Sequence, residues 1–326
     1  MPRGATQYRA GAAIAECLNC ATHRPAASAR SPRGGTLAID MIDLHTHLLP
    51  AIDDGPDTMD EAVRMAAAAR DAGIHTLVCT PHMIEHFPTD PAHVHAAVAE
   101  AQAAVDAAGI DVRLVAGGEI ALPYLARLDD EALRLASIGG AGQWLMLEMP
   151  FHGWPVDLPR IMDGLERRGY SVILAHPERA DAVQRQPDRM RDIVGRGALV
   201  QLTAASFLGE HGEAARRTAA VLLSGGAGHF LASDAHSPGP WRPPALTEGL
   251  QAAADAIDVS AGALRWMVQD GPAAVLSGAP VRPPRIGRAL RTTPDPDRPV
   301  PGAPRAPTRG GGAGGRAHAG QRARRR

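Results

Sequence analysis

The sequence predicts a parallel α/β fold whose strands form a closed or nearly closed barrel. Short apolar segments alternate with Ala-rich amphipathic segments at helical spacing, a pattern typical of parallel α/β domains. About seven strand-like segments can be marked, and seven β/α units indicate a barrel rather than an open sheet.

Each predicted element follows from its pattern and its punctuation. The predicted strands are 42–45, 76–80, 113–117, 144–149, 171–175, 199–202 and 230–233. The predicted helices between them are 59–72, 92–108, 158–168, 189–196 and 213–223. Four glycines stand where the C-caps of these helices are expected, namely Gly73, Gly109, Gly169 and Gly197.

Charge is distributed unevenly along the chain, although its sum is only -1. With His neutral, residues 1–40 carry +3, residues 41–281 carry -14 and residues 282–326 carry +10. An acidic body is poorly suited to a nucleic-acid groove but suits carboxylates that bind cations. Because of this charge, we expect no specific nucleic acid partner. No apolar run approaches the roughly 18 to 20 residues that cross a bilayer, so we also expect no membrane span.

Composition separates the two ends from the body. Residues 1–40 lack the features of a secretory signal, and we interpret them as disordered or as a mis-started extension preceding a natural start at Met41. Residues 282–326 are mostly Pro, Gly and Arg and carry too little apolar surface to fold, which predicts a disordered basic tail. The folded domain is therefore predicted to span 41–281.

Missing residue types exclude several chemistries. The three cysteines provide no disulfide framework, which indicates a reducing cytoplasm, and the Cys17–Cys20 pair lacks a second pair and a strand pattern. None of the cysteines begins the Cys-x5-Arg pattern of thiol-based tyrosine phosphatases. All 34 basic residues are Arg. Without lysine, the chain cannot bridge metal ions through the carbamylated lysine that many amidohydrolases use, and it cannot form a Walker-type phosphate loop.

Six of the seven predicted strands end in side chains that can bind metal, at the barrel end where reactive groups lie. The candidate ligands are His45, His47, Asp54, His82, Glu119, Glu148, His176, Asp234 and His236. His45 and His47 are two residues apart on a strand and project to the same face, which Asp43 shares as a candidate outer partner. Imidazole and carboxylate without thiolate suit manganese, iron or zinc, and several carboxylates favour more than one ion.

Two arginines follow the ligand motifs. Arg179 comes three residues after His176, and Arg242 comes six residues after His236, behind a Pro-Gly-Pro-Trp segment. Guanidinium groups at these positions could bind phosphate oxygens, while surface ion pairs are the alternative for each. Metal-activated water beside such groups predicts a phosphoesterase.

These motifs resemble the PHP (polymerase and histidinol phosphatase) superfamily, and within it the CpsB/CapC-type bacterial tyrosine-protein phosphatases. The matching blocks are residues 41–47, 53–56, 80–82, 118–120, 175–179 and 233–236. The resemblance covers about 41 to 281 and implies a distorted (β/α)7 barrel of the PHP type.

The resemblance also implies a site for up to three divalent ions, commonly manganese, with iron or zinc as alternatives. It implies one ion at His45, His47, Glu119 and Asp234, a second shared by Glu119 with Glu148 and His176, and a third at Asp54, His82 and His236. Arg179 and Arg242 would bind the phosphate group.

The implied function is that of a cytoplasmic metal-dependent protein-tyrosine phosphatase. Its implied partner is a phosphotyrosine protein, a bacterial tyrosine autokinase that controls capsule and exopolysaccharide synthesis. Two alternatives stay open: a phosphatase for a small phosphate ester, such as histidinol phosphate or a nucleotide, and a noncatalytic metal-binding interaction module.

Overall fold

A computed structural model describes residues 40–284 of the chain, and the structural statements below concern those residues. The strands are β1 (Met41–Thr46), β2 (Ile74–Cys79), β3 (His82–Met83), β4 (Arg113–Ala116), β5 (Glu119–Ala121), β6 (Trp144–Glu148), β7 (Ser171–Ala175), β8 (Leu199–Thr203) and β9 (Phe230–Ala232). The helices are α1 (Met59–Asp71), α2 (Pro91–Ala107), α3 (Asp130–Ala136), α4 (Leu158–Arg167), α5 (Asp181–Arg185), α6 (Arg189–Gly195), α7 (Ala204–Leu208), α8 (Gly212–Ser224), α9 (Leu246–Ala256) and α10 (Asp270–Ser277).

The strands pair in parallel in two sheets, one of order β1-β2-β4 and one of order β3-β5-β6-β7-β8-β9. Thr80 and Pro81 separate β2 from β3, and Gly117 and Gly118 separate β4 from β5. Proline has no N–H to donate to a ladder, so the first of these strands cannot continue unbroken. The predicted strand 76–80 thus corresponds to β2, with the short strand β3 after the interruption, and the predicted strand 113–117 corresponds to β4, with the short strand β5 after its interruption.

The predicted parallel α/β fold is confirmed, but the barrel, predicted as closed or nearly closed, is not closed by hydrogen bonds, because the ladders form two separate sheets. Only one isolated bridge, Thr46 to Ala235, links the first strand to the segment after β9. Next to this bridge, the His47 N–H donates a hydrogen bond to the Ala235 carbonyl oxygen at 2.8 Å. The buried Asp43 carboxylate accepts the Ser233 N–H at 3.1 Å. Local bonds therefore join the first strand to the last one.

All seven predicted strands and all five predicted helices have counterparts within a few residues. The four predicted cap glycines have φ between 71° and 100° and follow α1, α2, α4 and α6. Sequence reasoning missed β3, β5, α3, α5, α7, α9 and α10. Most of these are too short to show a period, and α9 carries Gly249, which lowers its helix propensity. The Cys17–Cys20 pair and most of both predicted tails lie outside the described residues, and the domain boundaries stay a prediction.

Side-chain alternation along the strands separates an apolar layer from the predicted ligands. A buried cluster takes residues from seven strands, including Leu44, Val78, Val115, Met146, Ile173, Leu199 and Phe230. Side chains two residues apart on a strand share a face. Glu148 and Gln201 therefore lie on the same face of their strands as the cluster members Met146 and Leu199. The strands thus carry apolar side chains first and polar ones at their carboxyl ends. None of the described helices is both long and apolar enough to span a membrane.

Close packing of α9 on α7 generates a stability prediction. A Cβ atom at Gly249 would lie 2.3 Å from the Cβ of Ala204 and 2.8 Å from its Cα. We expect Gly249→Ala to lower the free energy of unfolding by about 1–3 kcal/mol, because the helices must move apart. Urea denaturation of Gly249→Ala and of the parent protein measures this change.

The matched control is Gly164→Ala in α4, where the new Cβ would approach only the end of the Arg167 side chain, at 3.8 Å. This variant is expected to gain about 0.5–1 kcal/mol from helix propensity. Equal shifts in the two variants would show that the contact with Ala204 is not tight.

Candidate metal centre

The structure brings all nine predicted ligands together beyond the carboxyl ends of the strands. They form four overlapping groups, within each of which one ligand atom per residue lies within 4.8 Å of the others. The groups are His45, His47 and Asp234; His45, Glu119 and His176; His82, Glu119 and Glu148; and His47, Asp54, His82 and His236. Glu148 is therefore grouped with His82, and His176 with His45, rather than with each other.

Two imidazoles and two carboxylates lie close together at the base of the site. The Nε2 atoms of His45 and His47 are 3.1 Å apart. Each lies 3.3–3.4 Å from Glu119 Oε2 and 3.4 Å from Asp234 Oδ1. The ligand atoms of His45, His47 and Asp234 all lie within 4.8 Å of one another, a spacing suited to one divalent ion, and Glu119 Oε2 flanks the two imidazoles.

A second set of contacts lies around Asp54. Its Oδ1 atom is 3.1 Å from His236 Nε2 and 3.5 Å from His82 Nε2. The Asp54 side chain is 42 % exposed, whereas the His236 side chain is buried. Solvent therefore reaches the cluster at Asp54.

Glu119 links the sets because each of its oxygens faces a different histidine. Its Oε1 atom lies 2.7 Å from His176 Nε2, and its Oε2 atom lies 2.9 Å from His82 Nδ1. The side chain itself is fully buried. A carboxylate that contacts histidines on two sides is suited to bridge two ions.

The two predicted arginines converge on one oxygen atom. Asp234 Oδ2 accepts hydrogen bonds from Arg179 Nη1 at 2.9 Å and pairs with Arg242 Nη2 at 2.6 Å. Both arginine side chains are 15–20 % exposed. We call the partly exposed edge formed by Asp54, Arg179 and Arg242 the mouth of the site.

Burial and the neighbouring charges set the protonation of the cluster. Burial by itself would raise the pKa of Glu119, but His45 and His176 outweigh it and hold that pKa well below the usual range. Burial followed by repulsion from Glu119 raises the pKa of Glu148 to about 7. Burial lowers the pKa of His176 to about 4. A divalent cation requires ionised carboxylates and neutral imidazoles, so the shifts at Glu119 and His176 favour cation binding, whereas the shift at Glu148 opposes it.

The pKa of His47 is shifted in the opposite direction to that of His176. Burial lowers the pKa of His47, but Asp53 and Asp234 outweigh burial and raise the pKa well above the usual value. An ion that binds His47 must displace that proton.

Several buried ligand atoms have charged neighbours but no partner in hydrogen-bond geometry within the described residues. They are His82 Nδ1, Glu119 Oε2, Asp234 Oδ1 and His236 Nε2. An unsatisfied buried polar atom costs about 1–3 kcal/mol, and more when it is charged. Because these atoms face one another across the cluster, divalent ions would satisfy them together.

The backbone is strained at the site. Among described residues other than glycine, five have positive φ, and His176, Asp234 and Arg242 are three of them, at 31°, 54° and 48°. Such conformations cost about 1–3 kcal/mol each and cluster at functional sites. They turn the chain sharply after β7 and β9, so that ligand and arginine point inward.

Two positioning residues were not among the predicted site residues. Asp53 Oδ2 lies 2.6 Å from His47 Nδ1 and also accepts the His82 N–H at 2.9 Å. Gln201 Oε1 lies 2.9 Å from His45 Nδ1. The signal for Gln201 was a single amide between apolar residues of the predicted strand 199–202, the one predicted strand whose end offered no ligand. Asp43, the expected outer partner, instead accepts backbone N–H groups of His45 and Ser233.

The Asp-Asp-Gly sequence needs its glycine for packing. A Cβ atom at Gly55 would lie 2.2 Å from the carbonyl oxygen of His47. The loop can therefore pass close to β1 and return both aspartates to the cluster.

Comparison with known proteins identifies the family. The model of the family described as "Capsular polysaccharide synthesis, CpsB/CapC" matches residues 41–269. The chain belongs to this family. The match includes all nine predicted ligands and both arginines of the mouth.

Two tyrosine-protein phosphatases resemble the chain in sequence, and one solved structure resembles it in fold. Tyrosine-protein phosphatase YwqE of Bacillus subtilis is 31 % identical over 198 residues, which are 60 % of this chain and 78 % of the relative. Tyrosine-protein phosphatase CpsB of Streptococcus pneumoniae is 25 % identical over 205 residues, or 60 % and 83 % of the two chains. A crystal structure from work on these two proteins, described as unique metal-dependent tyrosine phosphatases, has a TM-score of 0.67 and 26 % identity, covering 75 % of this chain and 98 % of its own.

Asp53 supplies a prediction for metal binding. We expect Asp53→Ala to weaken Mn²⁺ binding about 10- to 100-fold, because His47 loses the carboxylate that orients its ring. Calorimetric titration of metal-stripped protein measures the affinity. Asp57→Ala, in the same loop but exposed, is the control and should bind like the parent. An unchanged affinity in Asp53→Ala would contradict the positioning role.

Proposed function

We propose that the protein is a metal-dependent protein-tyrosine phosphatase. The observation that carries the proposal is the convergence of Arg179 and Arg242 on Asp234, at the mouth of a buried cluster of imidazoles and carboxylates. Two guanidinium groups beside a metal site are suited to a phosphate group. Membership of the CpsB/CapC family supports the tyrosine phosphate ester as the substrate.

For the metal, we propose up to three divalent ions, preferably manganese. His45, His47, Glu119 and Asp234 would hold one ion, Glu119 with Glu148 and His176 a second, and Asp54, His82 and His236 a third. The chemistry that bound divalent ions supply is a nucleophile from water at neutral pH and neutralisation of phosphate charge.

The residues of the chain orient the phosphate and keep the base of the site dry. Arg179 and Arg242 would donate to non-bridging phosphate oxygens and are held for this by Asp234. The buried His45 and Glu119 exclude water from the base, while solvent enters at Asp54. The phosphate ester would therefore approach from the mouth.

Cys79, the free cysteine among residues 40–284, provides no competing route. Cys79 is fully buried, and burial raises the pKa of its thiol to about 12. A protonated, inaccessible sulfur cannot attack phosphate. This supports metal chemistry for the proposed activity.

The physiological setting is proposed on the family resemblance. We propose a tyrosine autokinase of capsule or exopolysaccharide synthesis as the substrate, and the cytoplasm as the location. The family description, capsular polysaccharide synthesis, supports the first of these.

The activity predicts hydrolysis of p-nitrophenyl phosphate and phosphotyrosine peptides only with added divalent metal. His176→Ala should abolish turnover because it removes a ligand, whereas His152→Ala, with a 93 % exposed side chain, should retain it. Steady-state assays with Mn²⁺, Fe²⁺ and Zn²⁺ measure both variants.

The same assay separates the alternatives. Inactivity with all three metals would overturn the phosphatase proposal and favour an interaction module. A strong preference for histidinol phosphate or nucleotides over phosphotyrosine peptides would favour a small-molecule phosphatase.

Arg179 generates a second prediction. Arg179→Ala should lower kcat/KM about 10²- to 10³-fold and weaken inhibition by orthophosphate, because one charged donor to the phosphate is lost. Arg185→Ala is the control, since Arg185 is exposed and pairs with Asp181. Unchanged orthophosphate inhibition in Arg179→Ala, with metal content intact, would show that Arg179 does not bind phosphate.

A further inference from the structure

Aromatic side chains surround the metal cluster. Phe, Trp and Tyr make up only 3 % of the chain, yet three of them pack against rings of predicted ligands. Phe87 lies 6.1 Å from His82, Phe151 lies 6.1 Å from His176, and Trp241 lies 5.9 Å from His236, between ring centroids. The three contacts come from three different loops.

Two of these three aromatic rings are exposed to solvent although each packs against an imidazole. Phe151 is 41 % exposed and Trp241 is 58 % exposed, and no other aromatic residue stands among the exposed large hydrophobic side chains of residues 40–284. Phe87 contacts its histidine while only partly exposed. Phe151 and Trp241 therefore present apolar faces to solvent beside the cluster.

Each exposed ring also contacts one arginine of the mouth. The Arg179 Cζ atom lies 4.8 Å from the Phe151 ring centroid, and the Arg242 Cζ atom lies 5.7 Å from the Trp241 centroid. Trp241 and His236 also line an open cavity of about 690 Å³ that extends along α1. The Trp241 ring thus borders free space next to the phosphate-binding groups.

We propose that Phe151 and Trp241 form an aryl-binding rim that contacts the ring of an aryl phosphate and so sets the preference of the site for aryl over alkyl phosphates. The inference rests on the phosphatase function proposed above. In an aryl phosphate the ring is joined to the phosphate through one oxygen, so anchoring the phosphate at Arg179 and Arg242 brings the ring beside the two aromatic side chains. Offset or edge-to-face contacts between aromatic rings are favourable, and an alkyl group cannot make them.

Nonhydrolysable phosphonates test the rim without the influence of leaving-group chemistry. The full chain, loaded with Mn²⁺, is assayed with p-nitrophenyl phosphate, and inhibition constants are measured for phenylphosphonate and methylphosphonate. Phe151→Leu and Trp241→Leu should each weaken phenylphosphonate inhibition about three- to tenfold. The double variant should weaken it further, while methylphosphonate inhibition stays unchanged. Val156→Ala, which alters a 78 % exposed side chain five residues after Phe151, should change neither constant.

Each outcome of this experiment decides the matter. An unchanged ratio of the two inhibition constants in an active double variant would overturn the rim and leave the phosphatase proposal intact. Equal weakening of both inhibitors, with metal content retained, would mean that the rings only position the arginines, which also overturns the rim. A parent protein inactive with every metal would instead overturn the phosphatase proposal itself.

Discussion

Two buried carboxylates, Glu119 and Asp234, impose the main constraint on the end of the molecule where the ligands meet. Removing an ionised carboxylate from water costs several kcal/mol unless opposite charges or donors replace the solvent. Histidines surround Glu119, and Asp234 faces histidines with one oxygen and two arginines with the other. The compensating groups come from separate strand ends and loops, so the carboxylates are stabilised only when the strands have assembled. Divalent ions would complete this compensation at the atoms that protein groups leave unsatisfied.

Residues next to the cluster orient the predicted ligands and are not predicted ligands themselves. Asp53 and Gln201 each contact the ring nitrogen that faces away from the cluster, on His47 and His45 respectively. Asp43 holds the first strand to the last through backbone N–H groups. Such outer contacts fix ring orientation, which metal affinity depends on. The strained backbone at Asp234 is maintained in the same way, because its side chain contacts both the base and the mouth of the site.

The parallel α/β class could be predicted because strand and helix periods are local properties of the sequence, and the glycines after α1 and α2 marked the helix ends. Short helices such as α5 and α7 escaped because five residues show no period. The closed or nearly closed barrel was predicted from the number of β/α units and from the family resemblance. Whether neighbouring strands form a continuous ladder depends on interruptions such as Pro81 and Gly117-Gly118, and on the approach of β1 to β9 across most of the chain.

For the site, the sequence by itself determined which residue types follow each apolar strand, since parallel strands bring their carboxyl ends to one side. That rule was enough to select nine residues that the structure brings together; their roles as ligands stay a prediction. Only the tertiary structure decided the contacts among them: that His176 lies with His45, that both arginines meet at Asp234, and that Phe151 and Trp241 stand beside those arginines. These contacts join residues far apart in the chain, and their distances depend on loop paths and side-chain rotamers that no local pattern encodes.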